Sequence, residues 1–215
     1  MLLLGIVGLP GSGKTTLSTL FGSLGAHLIS GDHIGHEVLN HDPDAMERLV
    51  GLFGTEILEP DGTVSRQRLG ERVSTDEESL RFLNEVVHPP LLSRLGTEIR
   101  AIETRDRYII VVVDAALIPE WGIESYFDLV VYVQCQSSVR WTRLRSAGRD
   151  ATLLKQLEHS QLAEADKRNR CHIVLDNEGT IDEFCHRGTA LYKALAHGSH
   201  LKGDGEQCRR RLWTD

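Results

Sequence analysis

"GLPGSGKT", residues 8–15, comes directly after the apolar run "LLLGIV" at 2–7 and directly before a helical pattern at 14–24. It satisfies G-x-x-x-x-G-K-[ST] in full, in the strand–loop–helix context that the motif requires. Gly8, Gly11 and Gly13 permit the turns that aim successive backbone N–H groups inward. The helix starting near Lys14 adds the positive end of its dipole. Such a loop holds a nucleoside triphosphate. Lys14 is expected to reach the β- and γ-phosphates and the Thr15 hydroxyl to ligate Mg²⁺, with Ser12 and Thr16 beside them. ATP and Mg²⁺ are therefore the expected cofactors.

Four further apolar runs stand outside this loop: "AHLIS" (26–30), "YIIVVVD" (108–114), "DLVVYVQ" (128–134) and "HIVLD" (172–176). They are continuous rather than alternating, as strands covered on both faces are. Helical patterns separate them, at 14–24, 76–87 and 179–197. Thr75 with Glu78, and Thr180 with Glu183, have capping-box spacing. The fold predicted is α/β: a doubly wound, five-stranded parallel sheet of the P-loop NTPase type. One domain is expected over 1–197. It carries a helical substrate-side insertion at about 31–105 and an arginine-rich lid at about 136–171. Residues 198–215 lose periodicity and are read as a flexible tail.

Composition narrows the class. The 215 residues carry a formal net charge of -7, so a general nucleic-acid binder is disfavoured. The first apolar run is too short to cross a bilayer, and no basic segment precedes it. The four cysteines lack metal-ligand spacing, and scattered thiols fit a reducing cytoplasm. A cytoplasmic monomer acting on a small molecule, with no nucleic-acid or membrane partner, is the expectation.

"YIIVVVD" ends in Asp114, the pattern of a strand whose carboxylate holds Mg²⁺ directly or through water; a plain strand-end aspartate reads the same way. In "ISGDHIGHEV" (29–38), Asp32 is either a helix cap or an acceptor-side base. There is no N-K-x-D stretch to read guanine and no "LSGGQ". An arginine-rich segment between late strands suits a kinase that closes over its phosphates to exclude water.

Beyond the generic loop, an ordered set of blocks resembles the dephospho-coenzyme A kinases over most of residues 3–190. "GDHIGHEV" is similar to the family's "DADxIA[RH]EV", and "DGTVSRQRLGERV" to "DGxLDRxxLxxxV". "LNEVVHPPL" resembles "LNxxxHPxI", and "VVVDAALIPE" resembles "VVxDxPLLFE". "RLRSAGRD" matches the lid at Arg145 and Arg149, and "VLDNEGT" resembles "VIDNxGS". The resemblance implies transfer of the γ-phosphoryl group of ATP to the ribose 3′-hydroxyl of dephospho-CoA. It makes Asp32 the catalytic carboxylate and gives Arg145 and Arg149 the transferring charge. It places Arg66, His88 and Pro89 on the substrate side and Asn177 in the adenine-contacting loop. Read without the family, Arg66 is equally a solvated helix residue, and His88 the end of a helix before proline. This chain departs from the pattern at Ser30, which replaces the first aspartate of "DAD", at Ala116, at Ser74, at Cys171–His172, and in a lid about three residues shorter.

Two alternatives remain open on sequence. One is a related kinase for a sugar acid, shikimate or a nucleoside, which leaves "HPP" and "SRQRL" unexplained. The other is a non-catalytic protein that uses ATP as a switch.

Overall fold

The computed structural model describes residues 1–73, 76–105, 109–148, 155, 158 and 161–198. Its centre is a parallel sheet of β1 (Leu2–Val7), β2 (His27–Ser30), β3 (Ile110–Asp114), β4 (Leu129–Gln134) and β5 (Ile173–Asp176), in the order β2-β3-β1-β4-β5. The two strands that carry the loop and Asp114 are thus central neighbours, with Ile6 opposite Asp114. Alternate residues serve opposite faces. Leu3, Val7, Val111 and Val113 pack on one side; Leu4, Ile6, Val112, Val131 and Val133 pack on the other. Both faces are covered, which is why the strands read as unbroken apolar runs.

On the second face lie α1 (Lys14–Ser23) and the long C-terminal helix α8 (Ile181–Gly198), where Leu17, Phe21 and Phe184 are buried. Thr180 and Glu183 form the expected reciprocal cap, at 2.8 and 3.2 Å. The first face carries α2 (Gly31–His41), α3 (Pro43–Phe53), α4 (Arg66–Val73) and α5 (Glu77–Glu103). Between α3 and α4 the chain makes a 3-10 turn at Thr55–Ile57 and one antiparallel bridge, Leu58 to Val64. After β4 come α6 (Ser137–Ser146) and the short α7 (Glu164–Asn169).

Two expectations change. Thr75 lies outside the described residues; the cap of α5 is Asp76, which accepts from the N–H of Glu78 and of Ser79 at 3.3 and 2.8 Å. The helix also does not end at His88. It runs through Pro89 and Pro90 as one element of 27 residues. Proline removes two intrahelical bonds there, but Val86, Leu91, Leu95 and Ile99, buried on both sides of the pair, hold the helix to the core. Tertiary burial outweighs the local preference.

Candidate active site

The phosphate loop is built as its glycines require. Gly11 and Gly13 have φ of 77° and 106°, in the left-handed region. A Cβ on Gly13 would lie 2.3 Å from the Asn177 amide nitrogen, so only glycine fits there. No side chain caps α1, which leaves its first N–H groups for an anion. The Ser12 hydroxyl is buried with no hydrogen-bond partner among the described residues. Lys14 is half-buried and its ammonium donates to the Leu9 carbonyl at 3.3 Å. Thr15 is exposed at the start of the helix, and Thr16 is half-buried beside it.

Asp114 ends β3 and accepts a hydrogen bond from the Ser18 hydroxyl at 2.9 Å. Burial raises its proton affinity; the Ser18 bond and the Lys14 charge oppose this. Burial also lowers the pKa of Lys14, while Asp114 and Asp32 raise it. Lys14, Asp32 and Asp114 therefore lie close enough to feel one another through space. Asp32 is exposed in the first turn of α2, and it is not the cap: the Ser30 hydroxyl accepts the His33 N–H at 3.2 Å. Thr15 and Asp114 supply the oxygen donors a hard divalent cation takes when it keeps most of its water. Among the described residues no group of three His, Cys, Asp or Glu side chains could form a metal cage.

The structure adds two arginines to the expected pair. Arg145 is exposed, with its Nε donating to the Trp141 carbonyl in its own helix at 3.3 Å. Arg149 lies outside the described residues. The arginines that reach the loop are Arg140, buried and donating to Pro10 O at 2.8 Å, and Arg143, donating to Gly11 O at 3.5 Å. At roughly 100° per residue, Arg145 projects about 200° around the helix from Arg143. Matching by block alone missed this; the helical phase of 137–146 carried the signal. A cleft of about 460 Å³ opens beside these residues, lined by Leu9, Arg140, Trp141, Glu158 and Leu162 among others.

Asn177 follows β5 and turns toward the phosphate loop. It is 3% exposed, its amide donates to Ser12 O at 2.7 Å, and its own oxygens accept from Arg143. Turned inward, it braces the loop. Arg66 opens α4 and is exposed. His88 lies half-buried in mid-helix, edge-to-face with Trp121 at 5.7 Å, and burial lowers its pKa; Pro89 is exposed. The structure brings together Lys14, Thr15, Asp32 and Asp114, and leaves Arg66, His88 and Pro89 on the helical side. Glu120 sits in a turn and pairs with Lys167 at 2.8 Å.

Comparison with known proteins converges on one family. The dephospho-CoA kinase family model matches residues 2–183. A dephospho-CoA kinase of Leifsonia xyli subsp. xyli is 32% identical over 196 residues, which cover 91% of this chain and 99% of that one. Among solved structures, TT1252 of Thermus thermophilus superposes with a TM-score of 0.74 at 28% identity, covering 94% of this chain and 98% of that one. Dephospho-CoA kinase from Campylobacter jejuni superposes at 0.68 and 18% identity, with 92% and 98% covered, and shares the fold. With a loop, a strand-end carboxylate and an exposed helix-borne aspartate around one lysine, and a family model spanning most of its length, this chain belongs to the dephospho-CoA kinase family.

Proposed function

We propose that this protein transfers the γ-phosphoryl group of ATP to the ribose 3′-hydroxyl of dephospho-CoA, yielding coenzyme A and ADP in the cytoplasm. The observation that carries the reading is Asp32, an exposed carboxylate on the first turn of α2, within electrostatic reach of Lys14 and Asp114. A carboxylate there can orient an incoming hydroxyl and accept its proton as the bond to phosphorus forms.

In this reading the loop N–H groups, Ser12, Thr16 and Lys14 hold the triphosphate. Thr15 and Asp114 would hold Mg²⁺, which would supply positive charge against the phosphates. Arg140, Arg143 and Asn177 keep the loop rigid, which is where orientation gains its effect. Arg145 and Arg149 take the transferring charge, Arg145 after exchanging its bond to Trp141 O. The helices α2 to α5, with Arg66, His88 and Pro89, receive the acceptor. The test is ADP formation by purified protein with Mg·ATP and a panel of acceptors. Turnover is expected with dephospho-CoA; equal turnover with shikimate or a nucleoside, or none with any acceptor, contradicts the reading.

A further inference from the structure

The scheme above leaves one buried charge without a use. Lys167, in α7, is 0% exposed. Its ammonium donates to Ala116 O at 3.0 Å and to Gln161 Oε1 at 2.6 Å, and pairs with Glu120 Oε1 at 2.8 Å. The same Glu120 oxygen accepts the Leu162 N–H at 3.1 Å. A buried ion pair is a poor stabiliser compared with apolar side chains of the same size, because both ions lose their water. What it supplies instead is direction: its donors must meet particular oxygens. Here they tie the 161–167 segment to residues 116–120. That second segment runs straight on from Asp114 and consists of turns. On its other side Ala115 donates to Ile6 O at 3.3 Å and is packed so closely on Gly31 that a Cβ there would lie 2.6 Å from it.

We propose that Lys167, clamped by Glu120, is a positioning residue for phosphoryl transfer: it fixes the segment after Asp114, and so the direction in which Asp114 offers its carboxylate to the divalent cation. This rests on the kinase reading and on Asp114 as a metal ligand. One carboxylate oxygen is held by Ser18. Mg²⁺ tolerates little error, demanding oxygens at roughly 2.0–2.1 Å in near-octahedral geometry. The turn segment has a few backbone bonds of its own, such as Trp121 N–H to Leu117 O at 2.9 Å, and Arg170 donates to Pro119 O at 3.1 Å; Lys167 adds the buried, charged tie nearest Asp114, at Ala116 O. Its charge is near enough to Lys14 to be felt there.

Lys167→Met with Glu120→Leu removes both charges at similar volume, and its melting temperature should hold or rise. Mn²⁺ binding in the presence of ATP, followed by electron paramagnetic resonance, needs no acceptor and reports the cation site directly. Asp114→Asn is the reference for loss of the ligand. The expected result is a stable double variant with Mn²⁺ affinity and turnover each reduced about tenfold, while the acceptor KM stays put. A folded double variant with both values within about twofold of wild type overturns the proposal. Should the double variant fail to fold, Lys167→Arg keeps the charge but moves its donors. It should lose about threefold in Mn²⁺ affinity, and unchanged affinity and turnover there overturn the proposal equally. Failure of the kinase reading looks different: wild type binds Mn·ATP yet phosphorylates no dephospho-CoA, and the Mn²⁺ comparison then decides the role of Lys167 alone. An Asp114→Asn variant with wild-type Mn²⁺ affinity removes the metal ligand and the proposal with it.

Discussion

Ser30 and Asp114 stand opposite each other at the carboxyl ends of the adjacent parallel strands β2 and β3. The pairing explains how two aspartates and a lysine from distant parts of the chain share one site. It also divides labour within "ISGDHIG". Ser30 caps α2, which frees Asp32 to face outward. Ser30→Ala should therefore cost about 1 kcal/mol, while Ser30→Asp, an equally good cap, should cost much less. Urea unfolding of the two variants measures this.

Asp114 should be a stability liability in the free protein. Burial raises its pKa in the folded state. A raised pKa means that its favourable contribution is present below the unfolded value of about 3.9 and is lost as pH rises through the folded value. At neutral pH the half-buried carboxylate is a burden that Asn does not carry. Asp114→Asn is expected to raise the melting temperature by roughly 1–3 °C at pH 7 and less near pH 4. The same variant should lose about a hundredfold in Mg²⁺-dependent turnover. A melting curve at each pH, with the rate beside it, checks both signs.

Asn177→Ala should loosen the loop from beneath. It removes the donor to Ser12 O and the side-chain acceptor for Arg143. Leaving buried partners unpaired costs about 1–3 kcal/mol. The KM for ATP should rise about tenfold, with the acceptor KM unchanged. An unaltered ATP KM would instead return Asn177 to a role outside the loop.

Much of this architecture was legible because its physics is local. A strand buried on both faces must be apolar throughout, so the runs at 2–7 and 128–134 announced themselves. The loop motif fixed Lys14 and Thr15, and Thr180 with Glu183 specified their own cap. What was illegible depends on distant partners. Nothing near Pro89 says that the core on both sides will carry the helix through it. Nothing near Lys167 points to Glu120 or Ala116. The departure at His172 is similar: its Nδ1 accepts the Val130 N–H at 2.9 Å, a partner far away in sequence. Arg145 was legible from the family block, whereas Arg140 and Arg143, which the helical phase turns toward the loop, were not.

Asp32→Asn keeps shape and removes the proton acceptor. It should leave ATP affinity within about threefold of wild type and lower turnover about 10²–10⁴-fold. Near-normal turnover would reduce Asp32 to a surface acid of α2. Calorimetric titration with ATP, alongside the rate, separates the two.

The most direct measurement follows the phosphoryl group itself. Wild-type protein is incubated with γ-³²P-labelled ATP, Mg²⁺ and dephospho-CoA, and the products are separated. Label is expected in a single product that co-migrates with coenzyme A and carries its phosphate on the ribose 3′-oxygen, with no label transferred when dephospho-CoA is omitted. Label released only as inorganic phosphate, or recovered on another position of the acceptor, would contradict it.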